Sequence, residues 1–425
     1  MWKLCGFARR EGFLRLDVLK RTRMFSGVPF KLEEDDRTSN ITVGWSDPKH
    51  GTVECLLRGG TRFNVKSPKK IIFVEDSKEL KPDKAFNLVN HGTAIVWTGD
   101  FHKAKAFLKG ILKRVKNRKP PKDAEPLEQF RFGRMNKATL ANFKSKVLLH
   151  VGRDHTFSNA RAPTEVQEAC RMAFGETSDP YLIGFNDVLS LVGSLEHRKK
   201  GIYVDGLDLS IYPHYGVFPP TRHEYISLLD KVEFDYTSVE VAYDVGTGTG
   251  IIGAALLKKG VQHVIATDLF ARALNCAHDN FSRLGLLPKT TLVKCDLFPE
   301  SGKHKLANLI VFNPPWFPAK PDSAFHASIY DSKTSRNLKF FLKGAPAHLA
   351  PNGQVFLIVS DLPMKLGLRS ADEIDKLIIS AGMEVLEKVS VLPSHSRTGD
   401  SNDELNAFRK SENVELWRLR PMETK

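Results

Sequence analysis

Two short runs in this 425-residue chain carry groups that could hold and orient small ligands: Asp244-Val245-Gly246-Thr247-Gly248-Thr249-Gly250 and Asn313-Pro314-Pro315-Trp316. The first follows an apolar stretch, Val239–Asp244, and leads into Ile251, Ile252, Ala254, Ala255 and Leu256. Gly246, Gly248 and Gly250 let the main chain pass close to a ligand where a Cβ would collide, and a helix starting there presents unpaired N–H groups. Asp268, 24 residues after Asp244, ends the next apolar stretch, where an acid can accept both hydroxyls of a ribose. Asp296 ends the third, in Cys295-Asp296-Leu297-Phe298, where it can accept from an adenine amino group beside apolar residues. A tight strand-to-helix turn would also use these glycines, and a dinucleotide-binding oxidoreductase would use the first acid. Neither accounts for the second run.

Asn313-Pro314-Pro315-Trp316 follows Leu309-Ile310-Val311-Phe312. Two consecutive prolines lack N–H donors and restrict the chain, so the Asn313 side-chain oxygen and the Pro314 carbonyl become fixed acceptors. A planar amine or amide lying there would donate both hydrogens to them, and Trp316 offers a flat face for stacking. The plain alternative is a proline-rich loop plugged by an aromatic. The glycine loop and two strand-end acids, in the same order along the chain, weigh against it.

Such groups need a scaffold that brings strand ends together. From about Ile202 strands alternate with helices, the pattern of a doubly wound parallel α/β sheet. Strands are predicted at Val239–Asp244, His263–Asp268, Thr291–Cys295, Ala307–Phe312, Gln354–Ser360, Met383–Val389 and Val414–Leu419. Upstream, short β-branched runs within residues 41–76 predict a small sheet. Helical spacing follows over Phe101–Val115, Thr164–Phe174 and Asp187–His197. The organisation expected is a basic segment at 1–30, a smaller α+β accessory domain at 31–200 and the α/β domain at 201–425.

The conjunction of DVGTGTG, Asp268, CDLF and NPPW resembles the class I S-adenosylmethionine-dependent methyltransferases, in particular the N-methyltransferases with an Asn-Pro-Pro-aromatic motif. The resemblance covers about residues 202–425 and implies a Rossmann-like seven-stranded sheet. It implies S-adenosylmethionine as cofactor, with Asp244, Gly246, Gly248 and Gly250 beside its methionine part, Asp268 at the ribose and Asp296 at the adenine. It also makes Asn313, Pro314, Pro315 and Trp316 the groups that orient a target nitrogen, with Asn313 touching cofactor as well. Residues 213–222 look like the segment that closes over the cofactor in these enzymes. Residues 87–108 resemble a set of bacterial methyltransferases. His214, Tyr215 and Tyr330-Asp331 are further candidates for the pocket and its lid, although a His beside a Pro in a loop is more often structural.

Composition narrows the partners. The net charge is +14, with +6 in residues 1–31 and +10 in residues 100–146, so the basicity sits outside the α/β domain. Lysine-rich residues 103–119 are suited to phosphates, or form a solvated face. Three readings follow: an RNA base N-methyltransferase, a protein glutamine N-methyltransferase acting on a translation factor, or a non-catalytic RNA-binding ribosome-assembly factor. Intact glycines, Asp268 and Asn313 argue against the last. No apolar run approaches the roughly 18 residues of a membrane span. Cys5, Cys55, Cys170, Cys276 and Cys295 are scattered and suggest neither a disulfide framework nor a thiolate metal site. The arginine-rich first thirty residues resemble a mitochondrial presequence, from which Glu11 and Asp17 depart; a cytosolic basic extension is the alternative.

Overall fold

The computed structural model describes residues 40–47, 51–60, 62, 65–116, 119–393 and 406–423. The presequence-like segment and Arg118 lie outside the described residues.

The first sheet contains β1 (Ile41–Asp47), β2 (Gly51–Arg58), β3 (Lys70–Val74), β4 (Thr93–Trp97), β5 (Val147–Val151) and β6 (Tyr181–Gly184). Their order across the sheet is β1-β2-β6-β5-β4-β3. The sequence pattern pointed only to strands within 41–76. β4, β5 and β6 are short and buried on both faces, so no polar alternation marks them. Helices α1 (Pro82–Asn90), α2 (Phe101–Leu112), α3 (Pro126–Lys144), α4 (Thr164–Phe174) and α5 (Phe185–Lys200) connect and cover the strands. Asp100 caps α2 by accepting from the Lys103 N–H at 3.0 Å. This helix buries Phe101, Phe107, Leu108 and Ile111, each worth roughly 1.5–3 kcal/mol. It stops at Leu112, before the predicted Val115. α3 escaped the periodicity reading because it has no continuous apolar stripe: Phe130, Gly133, Asn136 and Phe143 are its buried residues.

Next come the hairpin β7 (Ile202–Val204) and β8 (Leu209–Ile211), then β9 (Val241–Val245), β10 (His263–Asp268), β11 (Thr290–Lys294) and β12 (Ala307–Phe312). The short pair β13 (Phe317–Pro318) and β14 (Tyr330–Asp331) precedes β15 (Leu349–Ser360), β16 (Met383–Val391) and β17 (Val414–Pro421). The second sheet runs β11-β10-β9-β12-β15-β17-β16. Its first five strands are parallel, and β17 is antiparallel to both neighbours. This is the doubly wound seven-stranded sheet that the motifs implied.

Side chains alternate across it. Ala242, Leu309, Val311, Phe356 and Ile358 pack under the helices Ile251–Lys258 and Ala271–Arg283, while Tyr243, Ile310, Phe312, Leu357 and Val359 pack under Arg336–Gly344 and Glu373–Ser380. The chain leaves β9 toward β10 on one side, and β12 lies on the other. At such a reversal of winding the strand ends open a crevice.

Candidate functional site

The crevice is a cavity of about 540 Å³ at the C-terminal ends of β9 to β12, a size suited to a small organic ligand. On one side the chain turns sharply after β9. Gly246, Gly248 and Gly250 take φ of +66°, +56° and +82°, the left-handed region that glycine enters without cost. Asp268 ties this loop down, accepting from Gly248 N at 3.0 Å and from Phe270 N at 2.9 Å. Asp296 lines the cavity beyond it and accepts from Arg336 Nη2 at 3.1 Å. The following residue, Leu297, sits at φ +69°, with its carbonyl accepting from Thr267 Oγ1 at 2.7 Å. A bulky residue in that conformation stores strain beside the site.

Two expected ligand contacts lie behind this wall instead of on it. Asp244 is fully buried under the loop, where Oδ2 accepts from Thr247 Oγ1 at 2.6 Å and Gly253 N at 2.9 Å. Among the described residues its Oδ1 has no partner, and burial pushes the carboxyl pKa up to about 7. Asp244 shapes the loop from beneath. Gly250 faces inward too, since a Cβ there would come within 3.0 Å of the Phe281 ring and 3.3 Å of Ala277 Cα. Its glycine is required by helix packing as much as by φ. Gly246 and Gly248 remain on the cavity surface.

Asn313, Pro314, Pro315 and Trp316 form the neighbouring wall. The Trp316 indole Nε1 donates to Asn313 Oδ1 at 3.0 Å and to Ile358 O at 3.3 Å. Trp316 therefore fixes the carboxamide from within the chain. The Arg222 guanidinium covers one face of the indole, 5.3 Å from the ring centre, so that face is not open for stacking.

Arg222 is itself held by buried acids. Its Nε donates to Glu224 Oε1 at 2.9 Å. Its Nη2 lies 2.8 Å from Glu224 Oε1 and 3.2 Å from Glu412 Oε1, charge contacts that lack hydrogen-bond angles. Glu412 is wholly buried and accepts from Ser360 Oγ at 2.7 Å, leaving Oε2 without a partner among the described residues. Ile358 and Ser360, both in β15, thus support Trp316 and Glu412 together. Glu412 carried no signal in the sequence, because its partners are distant along the chain.

Within the segment 213–222, Gly216, Val217, Phe218, Pro220 and Arg222 reach the cavity, whereas His214 and Tyr215 do not. His214 Nε2 lies 2.9 Å from Asp279 Oδ2, which also takes Arg198 Nη2, and Tyr215 packs on the core of the first sheet. Both are joints between the two halves. Tyr330 lines the cavity, but Asp331 is buried and caps the Arg336–Gly344 helix by accepting from the N–H groups of Asn337 and Leu338. The lysines of α2 are absent from the lining. Instead α3 supplies Phe130, Gly133, Arg134 and Lys137, whose spacing of i, i+3, i+4 and i+7 was the signal available beforehand.

Residues 208–371 match the family model of the methyltransferase small domain. Over 161 residues the chain is 32% identical to the release factor glutamine methyltransferase of Cereibacter sphaeroides, covering 35% of this chain and 54% of that protein. It is 29% identical to the tRNA1(Val) (adenine(37)-N6)-methyltransferase of Bacteroides fragilis, covering 27% and 50%. The chain thus spans about half the length of each of these relatives. A methyltransferase structure from Pyrococcus furiosus shares 19% identity, with a TM-score of 0.36, over 56% of this chain and 99% of that one. The second sheet and its cavity belong to a class I methyltransferase domain, whose cofactor is S-adenosylmethionine. The residues fit that cofactor: a glycine loop and the carboxylates of Asp268 and Asp296 line one cavity in the expected order.

Proposed function

We propose that this protein is an S-adenosylmethionine-dependent N-methyltransferase whose acceptor is a planar nitrogen, an exocyclic base amine in RNA. The supporting observation is the Asn313 carboxamide, locked by Trp316 at the rim of the cavity that also carries Asp268 and Asp296.

Gly246, Gly248 and Asp268 would hold the cofactor's methionine and ribose parts, and Asp296 its adenine. When bound, S-adenosylmethionine supplies an electrophilic methyl group on a sulfonium. Asn313 Oδ1 has two lone pairs; one takes the Trp316 N–H, and the other can accept a hydrogen from an incoming amine. The Pro314 carbonyl accepts the second. Hydrogen bonds to both hydrogens pull the nitrogen out of conjugation and aim its lone pair. Because the carboxamide is oriented before the acceptor arrives, little reorganisation is needed on reaction. Asn313 acts as an orienter, and the proton leaves after attack, so no strong base is required.

A glutamine carboxamide presents the same planar NH2 group. The 32% identity to a release factor glutamine methyltransferase favours that second reading. The deciding experiment is transfer of labelled methyl from S-adenosylmethionine to total RNA and to total protein, counted separately. Label in RNA supports the first reading, label in protein alone replaces it with the second, and label in neither removes both.

A further inference from the structure

The cavity carries more cations than acids. Besides the carboxylates of Asp268 and Asp296 its lining holds Arg222, Arg272 and Arg409, and α3 adds Arg134 and Lys137 from the first half of the chain. Phe130 anchors this helix against Phe317, their rings stacked at 5.8 Å and 5°. One turn on, the Arg134 guanidinium lies over the Tyr330 ring at 4.4 Å and donates from Nη2 to Lys320 O at 3.1 Å. That leaves most of its five donors for other partners. Among the described residues neither Arg134 nor Lys137 has a carboxylate within ion-pair distance. Asp322 is near enough for Arg134 to help lower its pKa, but its main partner is His326. Cations without a close carboxylate in a concave wall focus potential and draw an anion.

Phe218 and Phe325 also line the cavity, 5.7 Å apart, with Phe218 exposed. Aromatic rings and cations in one lining suit a nucleotide, whose base stacks while its phosphate is gripped. A neutral glutamine side chain would use neither. Resting on the methyl-transfer reading above, we propose that α3 is the substrate-reading wall. Arg134 and Lys137 take phosphate oxygens flanking the target base of a single-stranded RNA segment. The half of the chain that lacks the cofactor motifs then selects the acceptor.

The test uses the full-length chain with labelled S-adenosylmethionine and total RNA, together with a fluorescent mixed-sequence single-stranded RNA for binding. Lys137 is exposed, so Lys137→Glu leaves the fold intact and keeps the test valid should Arg134→Ala fail to fold. Each variant should raise the RNA concentration needed for half-maximal rate about tenfold and lower the log–log salt slope of RNA binding by about 0.7 per lost contact. Cofactor affinity, measured by calorimetry, should stay at the wild-type value. Arg134→Lys should restore part of the loss, because it keeps the charge without the planar fork. If RNA is methylated and Lys137→Glu changes neither its concentration dependence nor its salt slope, the proposal falls while the RNA reading stands. If the wild type labels protein and no RNA, both fall together.

Discussion

Both sheets of this protein bring parallel strand ends to one edge, and only one of those edges is open. In the first sheet β3, β4 and β5 run parallel, so the chain leaves Val74, Trp97 and Val151 on the same side. There the edge is sealed: buried Asn159 donates from Nδ2 to Trp97 O at 3.1 Å and Gly99 O at 2.8 Å, and Thr98 N reaches Val74 O. A Cβ on Gly99 would lie 1.8 Å from Glu75 O, so no space remains for a ligand. In the second sheet Asp268 ties the end of β10 to the loop after β9, and Trp316 ties the loop after β12 to itself and to β15, bonds that run sideways and leave a cavity between them. Parallel strand ends offer a site only where the loops' internal bonds run around the opening instead of across it.

The harshest way to break this contrast is to remove the support under the open edge. Arg222→Met would leave Glu412 buried without its cation, which should cost about 3–5 kcal/mol of stability in urea unfolding. A loss below about 1 kcal/mol would show that Ser360 alone suffices for Glu412. Next in size, Asn313→Ala should lower turnover about two to three orders of magnitude, the scale of a preorganised polar contact, with S-adenosylmethionine affinity nearly intact. Equal loss of both would mean that the loop had collapsed once Trp316 lost its acceptor.

Asp268→Ala should weaken cofactor binding by roughly 1.5–3 kcal/mol by calorimetry, since it removes a charged acceptor from the wall and from Gly248 N. Its counterpart on the sealed edge, Asn159→Ala, should cost about 1–2 kcal/mol of stability and leave cofactor affinity unchanged. If Asn159→Ala impaired cofactor binding as much as Asp268→Ala did, the contrast between the edges would be false. A separate effect concerns pH. Asp244 has a folded pKa near 7 against an ordinary value near 3.8, so between about pH 4 and 7 the folded state holds a proton that the unfolded chain has released. Stability should therefore fall as pH rises through that window. Asp244→Asn, which cannot ionise, should flatten the slope of unfolding free energy against pH there.

The second sheet could be read from the chain because recognisable residues follow its strands: the glycine loop after β9, Asp268 at the end of β10, Asp296 after β11 and Asn313 after β12. The first could not, since β4 to β6 are no longer than β9 and no such residues follow them, and α3 spends one face on the cavity instead of a core. Positive φ at Gly246 and Gly248 was foreseeable; that Gly250 answers to Phe281 was not, because Phe281 belongs to a helix thirty residues on.

By itself the sequence determined the alternation that builds a parallel sheet and the residue types waiting at its strand ends, because periodicity and turn chemistry are local properties. Only the tertiary structure decided that Trp316 turns its N–H inward to Asn313, that Glu412 holds Arg222 beneath it, and that Arg134 and Lys137 face the cavity from the other sheet's helix. The last two join residues far apart in the chain, and the first is shared with the distant Ile358 carbonyl. Which of them meet depends on how distant segments pack, within the second sheet's half for Glu412 and Arg222 and between the two halves for Arg134 and Lys137, a property of side-chain shape absent from any local window.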